Sequence, residues 1–357
     1  MLLSDNHKLS LRIWGASHAD AIGMKLDGIE KGIKINVDTL QAFVDRRKSV
    51  KSVYSTSRGE EDKIVITKGI NDSVTTGESI EAAIFNKTQR KSDYENLKHT
   101  PRPSHADYPA YVKYSGSYDM SGGGKFSGRM TAPLCIAGGI AKQILQEKGI
   151  FVGAYIAEIG GIKGISYKDS DISLAQVEKT MAQPFGVIDN KNASLMLSAI
   201  EKAKLDGDSV GGVIEAISYN VPAGLGDALF DSLESTLAKL LFGIPAVKGV
   251  EFGLGFDISK LLGSKANDCY YFEQGKVKTY TNNNGGILGG MSTGMPITCR
   301  VAIKPTASIS KEQNTINLQT GTNTTIAIKG RHDACIVPRA VVCVEACLAL
   351  AILENIL

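Results

Sequence analysis

The sequence lacks an apolar run long enough to cross a bilayer. Its most apolar stretch, residues 340–353, is interrupted by Glu345 and falls short of the roughly 20 residues that a membrane-spanning helix needs. This stretch therefore predicts a buried helix. Residues 1–10 are polar where a signal peptide needs an apolar core, so we expect a cytoplasmic protein.

A strong excess of one charge is also missing, because 40 basic residues face 37 acidic residues and the net charge is only +3. No block of five or six like charges occurs, which argues against a nucleic-acid or membrane surface. The balance of 43% apolar and 22% charged residues is typical of a folded globular chain. No low-complexity linker interrupts it, and we expect a single domain over residues 1–357.

Cysteine is sparse, with six residues and none of the paired two-residue spacings of a zinc site. Most of the cysteines lie in apolar stretches. Cys343 and Cys347 share one helical face through their four-residue spacing, and core packing is the favoured interpretation over chemistry. This usage fits a reducing compartment.

Hydrophobic periodicity predicts a mixed α/β (α+β) fold. Ser173 and Gln176 form the sequence signature of a capping box at a helix start. Apolar spacing predicts helices over residues 39–47, 133–148, 173–181, 192–205 and 228–242 and another beginning at Pro338. Alternation and short apolar runs predict strands over residues 9–13, 24–28, 63–68, 79–86, 151–159, 210–221, 244–252 and 297–303.

A glycine cluster lies directly before the predicted helix at residue 133. Gly122, Gly123 and Gly124 precede Lys125, and residues 126–129 add a further glycine, a serine and an arginine. Backbone N–H groups freed of side chains, together with a helix N-terminus, can hold a phosphate. A tight turn or a close crossing of chains is the alternative interpretation.

A proline-rich segment, residues 96–110, carries a second group of polar side chains. Prolines fix the backbone around Arg102, His105 and Asp107, and we predict a loop here. Residues two apart on an extended chain point the same way, so His105 and Asp107 are expected to lie together. A surface loop with a hydrogen-bonded histidine remains the alternative.

Four further loops carry basic or ionisable groups. They hold Ser17 with His18, Arg46 with Arg47, residues 304–308, and residues 331–333. Six such loops on a chain of low net charge suggest a pocket for a highly anionic ligand. The histidine and aspartate side chains add proton-transfer groups, which indicates chemistry on a phosphorylated substrate.

These segments, taken in order, resemble the chorismate synthase family over nearly the whole chain. The matching blocks are residues 15–18, 102–108, 122–131, 208–212, 221–226, 244–249, 285–290, 302–308 and 330–335. The resemblance implies an anti 1,4-elimination in which 5-enolpyruvylshikimate 3-phosphate loses phosphate and a ring proton to give chorismate, at the end of the shikimate pathway. It also implies a lyase that requires reduced FMN, a β-α-β sandwich of antiparallel sheets flanked by helices, and a homotetramer.

The resemblance further implies roles for single residues. His18 matches the histidine that meets the leaving phosphate, His105 the one that donates to the reduced flavin, and Asp333 the aspartate that moves the ring proton. The expected substrate-binding residues are Ser17, Arg47, Arg102, Arg129 and Arg339. The expected FMN-binding residues are Arg47, Lys125, Phe126, Ser127, Pro245, Ala246, Gly289, Lys304, Pro305, Thr306, Ala307, Ser308 and Arg331. No metal is implied.

Several positions depart from the family pattern: Ala16, Ala19, Phe126 and Val53. Because of these departures, the sequence does not decide which residues contact the flavin and NADPH. Some family members reduce their flavin with NADPH, whereas we predict that this chain relies on an external flavin reductase.

Two rival functions remain at this stage. A phosphotransferase could use the glycine cluster for a nucleotide, although no GxxxxGK[ST] motif occurs. A non-catalytic paralogue could bind flavin or another anionic ligand, and the presence of His18, His105 and Asp333 argues against it.

Overall fold

A computed structural model describes residues 8–48, 61–86, 99–118, 121–328 and 333–357. Its α-helices are α1 (Val37–Asp45), α2 (Asp107–Lys113), α3 (Thr131–Glu147), α4 (Leu174–Met181), α5 (Asn190–Leu205), α6 (Leu233–Phe242), α7 (Gly263–Ala266) and α8 (Val337–Ile356). Short 3-10 helices cover Ser121–Phe126, Gly128–Met130, Leu229–Asp231 and Gly255–Lys260.

The strands in the described residues are β1 (Ser10–Gly15), β2 (Ala21–Asp27), β3 (Val65–Lys68), β4 (Ile70–Asn71), β5 (Val74–Thr75), β6 (Ile80–Phe85), β7 (Phe151–Ile159), β8 (Ile162–Lys163), β9 (Gly212–Tyr219), β10 (Val247–Phe252), β11 (Tyr270–Glu273), β12 (Lys276–Thr279), β13 (Ile287–Leu288), β14 (Met291–Ser292), β15 (Ile297–Ile303), β16 (Gln313–Asn317) and β17 (Thr322–Ile326).

The first main sheet has the order β1-β2-β6-β3, and its neighbours are antiparallel. Ile22 is opposite Ile84 and Leu26 is opposite Ile80 across the β2–β6 pair, and all four side chains are buried. One face of this sheet packs against α3. Burial of these branched side chains is what fixes the register of the pair.

The second main sheet has the order β10-β15-β9-β7-β8 and is also antiparallel. Helix α8 packs against β7 and β9. Helix α4 also packs against β7, where Tyr155, Ile217 and Val177 form a small separate core. Helices therefore lie on both faces of this sheet.

Helices α3 and α8 run side by side between the two sheets. Cys135 touches Cys343, and Gly138, three residues further along α3, meets Ala346, three residues further along α8. The two helices are therefore parallel. A Cβ at Gly138 would lie 2.2 Å from the Cβ of Ala346, so the close approach requires glycine.

The parallel arrangement brings the N-termini of α3 and α8 to one end of the helical layer. One continuous hydrophobic core joins these helices to both sheets. The layer order is sheet, helices, sheet, which confirms the expected β-α-β sandwich of antiparallel sheets with helices against them. Residues of both N-termini, Thr131 and Arg339, line a cavity at this end.

Helix α8 is the buried helix that the apolar stretch predicted. Glu345 is fully buried within it and forms ion pairs with Arg46 at 2.8 Å and with Lys142. In the described ranges, no helix has the length and apolar character needed to cross a membrane.

Three sequence predictions need correction. The segment before Ala110 is not a continuous loop, because α2 begins at Asp107. The helix expected from residue 228 begins at Leu233, where Ser232 caps it by accepting a hydrogen bond from Ser235 N at 3.0 Å. The hairpins β11–β12 and β16–β17 were missed, since their strands are mostly exposed and show little of the apolar–polar alternation of a strand packed on a core.

Candidate active site

A cavity of about 700 Å³ lies where the first turns of α3 and α8 meet the surrounding loops. The sequence-predicted residues that line it are Ser17, Arg47, Arg102, His105, Lys125, Phe126, Ser127, Arg129, Pro245, Ala246, Lys304, Pro305, Thr306, Ala307, Ser308, Asp333 and Arg339. Loops that are far apart in sequence thus converge on one volume.

The cavity lining is strongly cationic. Two lining carboxylates, Asp62 and Asp333, face eight lining cations: Arg47, Lys48, Arg102, Lys125, Arg129, Lys248, Lys304 and Arg339. Each helix N-terminus adds about half a positive charge. The field in the cavity therefore favours an anion.

Asp62 holds two of the arginines. Its Oδ2 lies 2.6 Å from Arg47 Nη2, and its Oδ1 accepts from Arg129 Nη1. Burial alone would raise the pKa of Asp62, but the charges of Arg47 and Arg129 outweigh it and hold that pKa below its ordinary value. The ionised carboxylate therefore fixes both guanidiniums at the cavity wall.

Arg47 retains hydrogen-bonding capacity inside the protein. Its Nε is buried and has no hydrogen-bond partner among the described residues. Burial would lower the pKa of Arg47, yet Asp62 raises it overall, so the side chain stays charged. A buried donor without a partner is costly unless a ligand supplies an acceptor.

Arg102, His105 and Asp107 form a second cluster at the start of α2. Arg102 Nε and Nη2 lie 2.7 and 2.8 Å from the two oxygens of Asp107, which is a bidentate pair. Burial would raise the pKa of Asp107, but hydrogen bonds from Arg102 and His105 and their charges bring it well below its ordinary value. Arg102 Nη1 also donates to Ser308 Oγ at 3.2 Å.

The same cluster fixes the tautomer of His105. Its Nδ1 lies 2.6 Å from Asp107 Oδ1 and 3.1 Å from Arg102 Nη2. A guanidinium only donates and an ionised carboxylate only accepts, so the shorter contact requires the proton on Nδ1. The other nitrogen, Nε2, lies beside Gly123, where a Cβ would be 3.6 Å from it.

The pairing of His105 with Asp107 was predicted, but its structural cause differs. Ala106 has helical backbone angles and precedes the first residue of α2, so the segment is not extended. The two side chains meet because the chain turns into the helix. The start of α2, and not an extended chain, places His105 next to Asp107.

Arg339 and Asp333 connect α8 to the cavity. Arg339 Nη1 pairs with Asp333, and Arg339 Nε donates to the carbonyl oxygen of Arg47 at 3.0 Å. Arg339 lies in the first turn of α8. The aspartate predicted to move a proton is thus held by an arginine predicted to bind substrate.

The loops after α6 and β15 form another wall. Lys304 N donates to Ala246 O at 2.9 Å, which joins the two loops. Thr306 Oγ1 is buried without a hydrogen-bond partner in the described part of the chain. The pKa of Lys304 is lowered by burial and by the neighbouring charge of Lys248.

The glycine cluster forms a 3-10 helix rather than an open loop. Gly123 and Gly124 have positive φ angles of 86° and 53°, which glycine adopts without strain. Lys125 donates to Tyr114 OH and lies 4.4 Å from the centroid of that ring. Ser127 Oγ accepts from Arg129 N at 3.3 Å at the second 3-10 helix.

Two of the predicted residues that the structure describes, His18 and Gly289, do not line the cavity. His18 is half-buried in the turn between β1 and β2 and is not among the lining residues, although Ser17 is. Gly289 lies in the β13–β14 turn. Gly290 O accepts a hydrogen bond from Leu233 N at the start of α6. Pro245, which lines the cavity, follows the other end of this helix, and the ten residues of α6 span about 15 Å. Arg331, like Val53, lies outside the described residues.

Four ionisable lining residues were not assigned to the site by the sequence analysis: Asp62, Lys48, Lys248 and Cys343. Lys48 follows the Arg46–Arg47 pair, which was the only signal for it. Asp62 follows Glu60 and Glu61 and looks like part of an exposed acidic run. Nothing local in the sequence indicates that it lies between two arginines.

The family model for chorismate synthase matches residues 9–357. Chorismate synthase from Dehalococcoides mccartyi strain BAV1 is 48% identical over 95% of this chain and 92% of its own length. Chorismate synthase from Thermococcus gammatolerans is 43% identical over 98% of this chain and 96% of its own.

A comparison of folds also finds a chorismate synthase. A solved structure, titled as the crystal structure of chorismate synthase, superposes with a TM-score of 0.74 at 25% identity. It covers 97% of this chain and 91% of the other. Sequence and fold together place this chain in the chorismate synthase family.

Proposed function

We propose that this chain is a carbon–oxygen lyase that converts 5-enolpyruvylshikimate 3-phosphate to chorismate and phosphate by anti 1,4-elimination, as the last step of the shikimate pathway. The observation that carries the proposal is the convergence of four arginines, His105 and Asp333 on one cationic cavity. A substrate with one phosphate and two carboxylates matches this excess of positive charge.

The arginines bind and orient the substrate in this proposal. Arg47 and Arg129 present a pair of guanidiniums that Asp62 holds in place, and Arg102 and Arg339 are held by Asp107 and Asp333. Each internal carboxylate fixes its arginine before the ligand arrives, which lowers the entropic cost of ordering the site. Ser17 at the cavity wall adds a hydroxyl donor.

The same cavity suits reduced FMN. Its volume lies within the usual range for ligand sites, and the buried Thr306 Oγ1 and Arg47 Nε lack partners in the described chain. Residues 125–127, 245–246 and 304–308 are proposed to hold the flavin, with Gly289 and Arg331 remaining predictions. Reduced FMN supplies transient electron density to the breaking C–O bond when it is bound.

His105, Asp333 and His18 are proposed to handle protons and the leaving group. With Nδ1–H directed at Asp107, a cationic His105 also donates from Nε2. Asp333 is proposed to move the ring proton, and the ion pair with Arg339 orients its carboxylate. His18 is proposed to meet the departing phosphate.

An anaerobic assay tests the function. The purified protein is mixed with chemically reduced FMN and 5-enolpyruvylshikimate 3-phosphate, and chorismate and phosphate are followed together. We expect equal release of both products with reduced FMN and none with oxidised FMN. Binding of substrate and flavin without either product would reject the proposal in favour of a non-catalytic paralogue.

The assembly and the supply of electrons are further parts of the proposal. One hydrophobic core joins both sheets, which supports a single domain. Phe272 and Tyr280 are 80% and 74% exposed at and beside the β11–β12 hairpin, and such exposed aromatics support an interface between copies of the chain, which the proposed homotetramer needs. Light scattering checks the mass. NADPH oxidation by the pure protein with FMN, at the rate of chorismate formation, would reject the external reductase.

A further inference from the structure

Two cysteines lie beneath the first turns of the helices that border the cavity. Cys135 is on α3, Cys343 is on α8, and their sulfur atoms are 3.7 Å apart. Cys343 lines the cavity, whereas Cys135 lies behind it and is fully buried. Cys343 therefore borders the volume that solutes enter, and Cys135 is in contact with Cys343.

We propose that the Cys135–Cys343 pair is a peroxide-sensitive redox site, in which Cys343 is oxidised first and Cys135 then closes a disulfide between α3 and α8. The core-packing interpretation of the sequence does not include this chemistry. The two parallel helices approach so closely at Gly138 and Ala346 that the cysteines one turn earlier already touch. The sulfurs must close from 3.7 Å to roughly 2 Å, within the reach of side-chain rotation and a small helix shift.

The surroundings separate the roles of the two sulfurs. Cys135 donates a hydrogen bond to Cys343, and this bond is the main reason that the pKa of Cys343 lies below its ordinary value. Burial opposes the shift, while Thr131, Arg47 and Arg339 support it. The same hydrogen bond, followed by burial, raises the pKa of Cys135. Cys343, which also lines the cavity, is therefore the nucleophile, and Cys135, which lies behind it, is the resolving thiol.

The chemistry balances with hydrogen peroxide as the oxidant. The Cys343 thiolate attacks one peroxide oxygen, the O–O bond breaks, and Cys343 becomes a sulfenic acid while hydroxide leaves and takes up a proton. The Cys135 sulfur then attacks the Cys343 sulfur, the S–O bond breaks and water leaves as the disulfide forms. Two thiols and one peroxide thus give one disulfide and two waters.

Because the two cysteines lie beside the cavity, we expect the disulfide to change how the cavity binds anions. This expectation rests on the proposed function of the cavity. Arg339 lies one turn before Cys343 on α8, and Thr131, which is bonded to Gly128 O beside Arg129, lies one turn before Cys135 on α3. Drawing the two sulfurs together moves both first turns. We expect weaker binding of anions in the oxidised protein.

The experiment begins with fully reduced protein under anaerobic conditions. Hydrogen peroxide is added in steps, free thiols are blocked, and peptides are identified by mass spectrometry. We expect a peptide linked through Cys135 and Cys343, formed at lower peroxide than oxidation of the exposed Cys269. Affinity for inorganic phosphate, measured by calorimetry, should fall at least tenfold and return after dithiothreitol.

Variants assign the two roles. Cys343→Ala should lose the linked peptide and the peroxide response. Cys135→Ala should stop at a sulfenic acid on Cys343 that dimedone traps, formed only at higher peroxide because the hydrogen bond from Cys135 is lost. Cys347→Ala removes a buried cysteine one turn further along α8 and should respond like the native protein. Oxidation of Cys269 without any linked peptide would overturn the proposal. These readouts need no turnover, so they stand apart from the chorismate assay.

Discussion

Two arginine–carboxylate clusters border the same cavity, and they are built in opposite ways. Arg102, His105 and Asp107 lie within six residues of chain, at the entrance to α2. Arg47, Asp62 and Arg129 come from three separate segments, the last of them 67 residues from the aspartate. The first, local cluster depends on one turn of backbone, whereas the second, long-range cluster depends on the whole fold.

The comparison explains how much of the site the sequence could predict. His105 and Asp107 were expected to lie together, and they do, although a helix start rather than an extended chain unites them. Asp62 was missed because its partners are distant in sequence, and the Cys135–Cys343 contact spans 208 positions. Local spacing carries no information on such pairs, and only the packing of the layers creates them.

The same distinction holds for the fold. The long helices α3 and α8, the strand β15 and the capping box at Ser173 were predicted, since periodicity and caps are local signals. The parallel alignment of α3 with α8 was not, because it follows from a glycine–alanine contact between distant segments. That alignment is what brings two helix N-termini to the cavity.

The largest effect is expected at the long-range cluster. Asp62→Asn leaves two buried guanidiniums without their carboxylate, and we expect the free energy of unfolding to fall by about 3 kcal/mol or more. Urea unfolding measures the change, and millimolar phosphate should restore part of it by replacing the anion. Asp72→Asn, in an exposed turn, is the control and should change stability by less than about 0.5 kcal/mol. Equal losses in both variants would contradict the role of Asp62.

A smaller loss is expected at the local cluster. Asp107→Asn keeps an acceptor for Arg102 N, so we expect a loss of about 2 kcal/mol in unfolding free energy. Turnover should fall as well, because Arg102 and His105 lose their fixed positions. Asp38→Asn also removes an acid from a helix first turn, at α1, and is the matched control. If Asp107→Asn matched this control in stability and turnover, the local cluster would have no positioning role.

Acid should weaken both clusters through the same linkage. The pKa values of Asp62 and Asp107 are lower in the folded protein than in the unfolded chain, so both carboxylates stabilise the fold above about pH 4. That stability is lost as the pH falls through the folded pKa values. Urea unfolding between about pH 5 and pH 2 should show a steeper fall for the native protein than for either Asn variant. If the native protein and the two Asn variants lost unfolding free energy in parallel as the pH fell, the linkage would be rejected.

The smallest effect is expected at Ser308, which accepts a hydrogen bond from Arg102 of the local cluster. Ser308→Ala removes the acceptor for Arg102 Nη1, and we expect a loss of about 1 kcal/mol in unfolding free energy. The bidentate pair with Asp107 should hold Arg102 in place, so substrate affinity should change less than threefold. Thr315→Ala, which breaks a bond to Pro101 O in the same region, serves as a comparison. A tenfold loss of affinity in Ser308→Ala alone would show that Ser308 positions Arg102.

Calorimetric titration with 5-enolpyruvylshikimate 3-phosphate tests most directly whether both clusters serve one ligand. Arg129→Gln represents the long-range cluster, Arg102→Gln the local cluster, and Lys260→Gln an exposed cation as control. Each cavity arginine bonded to a charged group should contribute about 1.5–3 kcal/mol, so both cavity variants should bind at least tenfold more weakly than native protein while the control binds normally. Undiminished binding in either cavity variant would contradict a single anionic site built by both clusters.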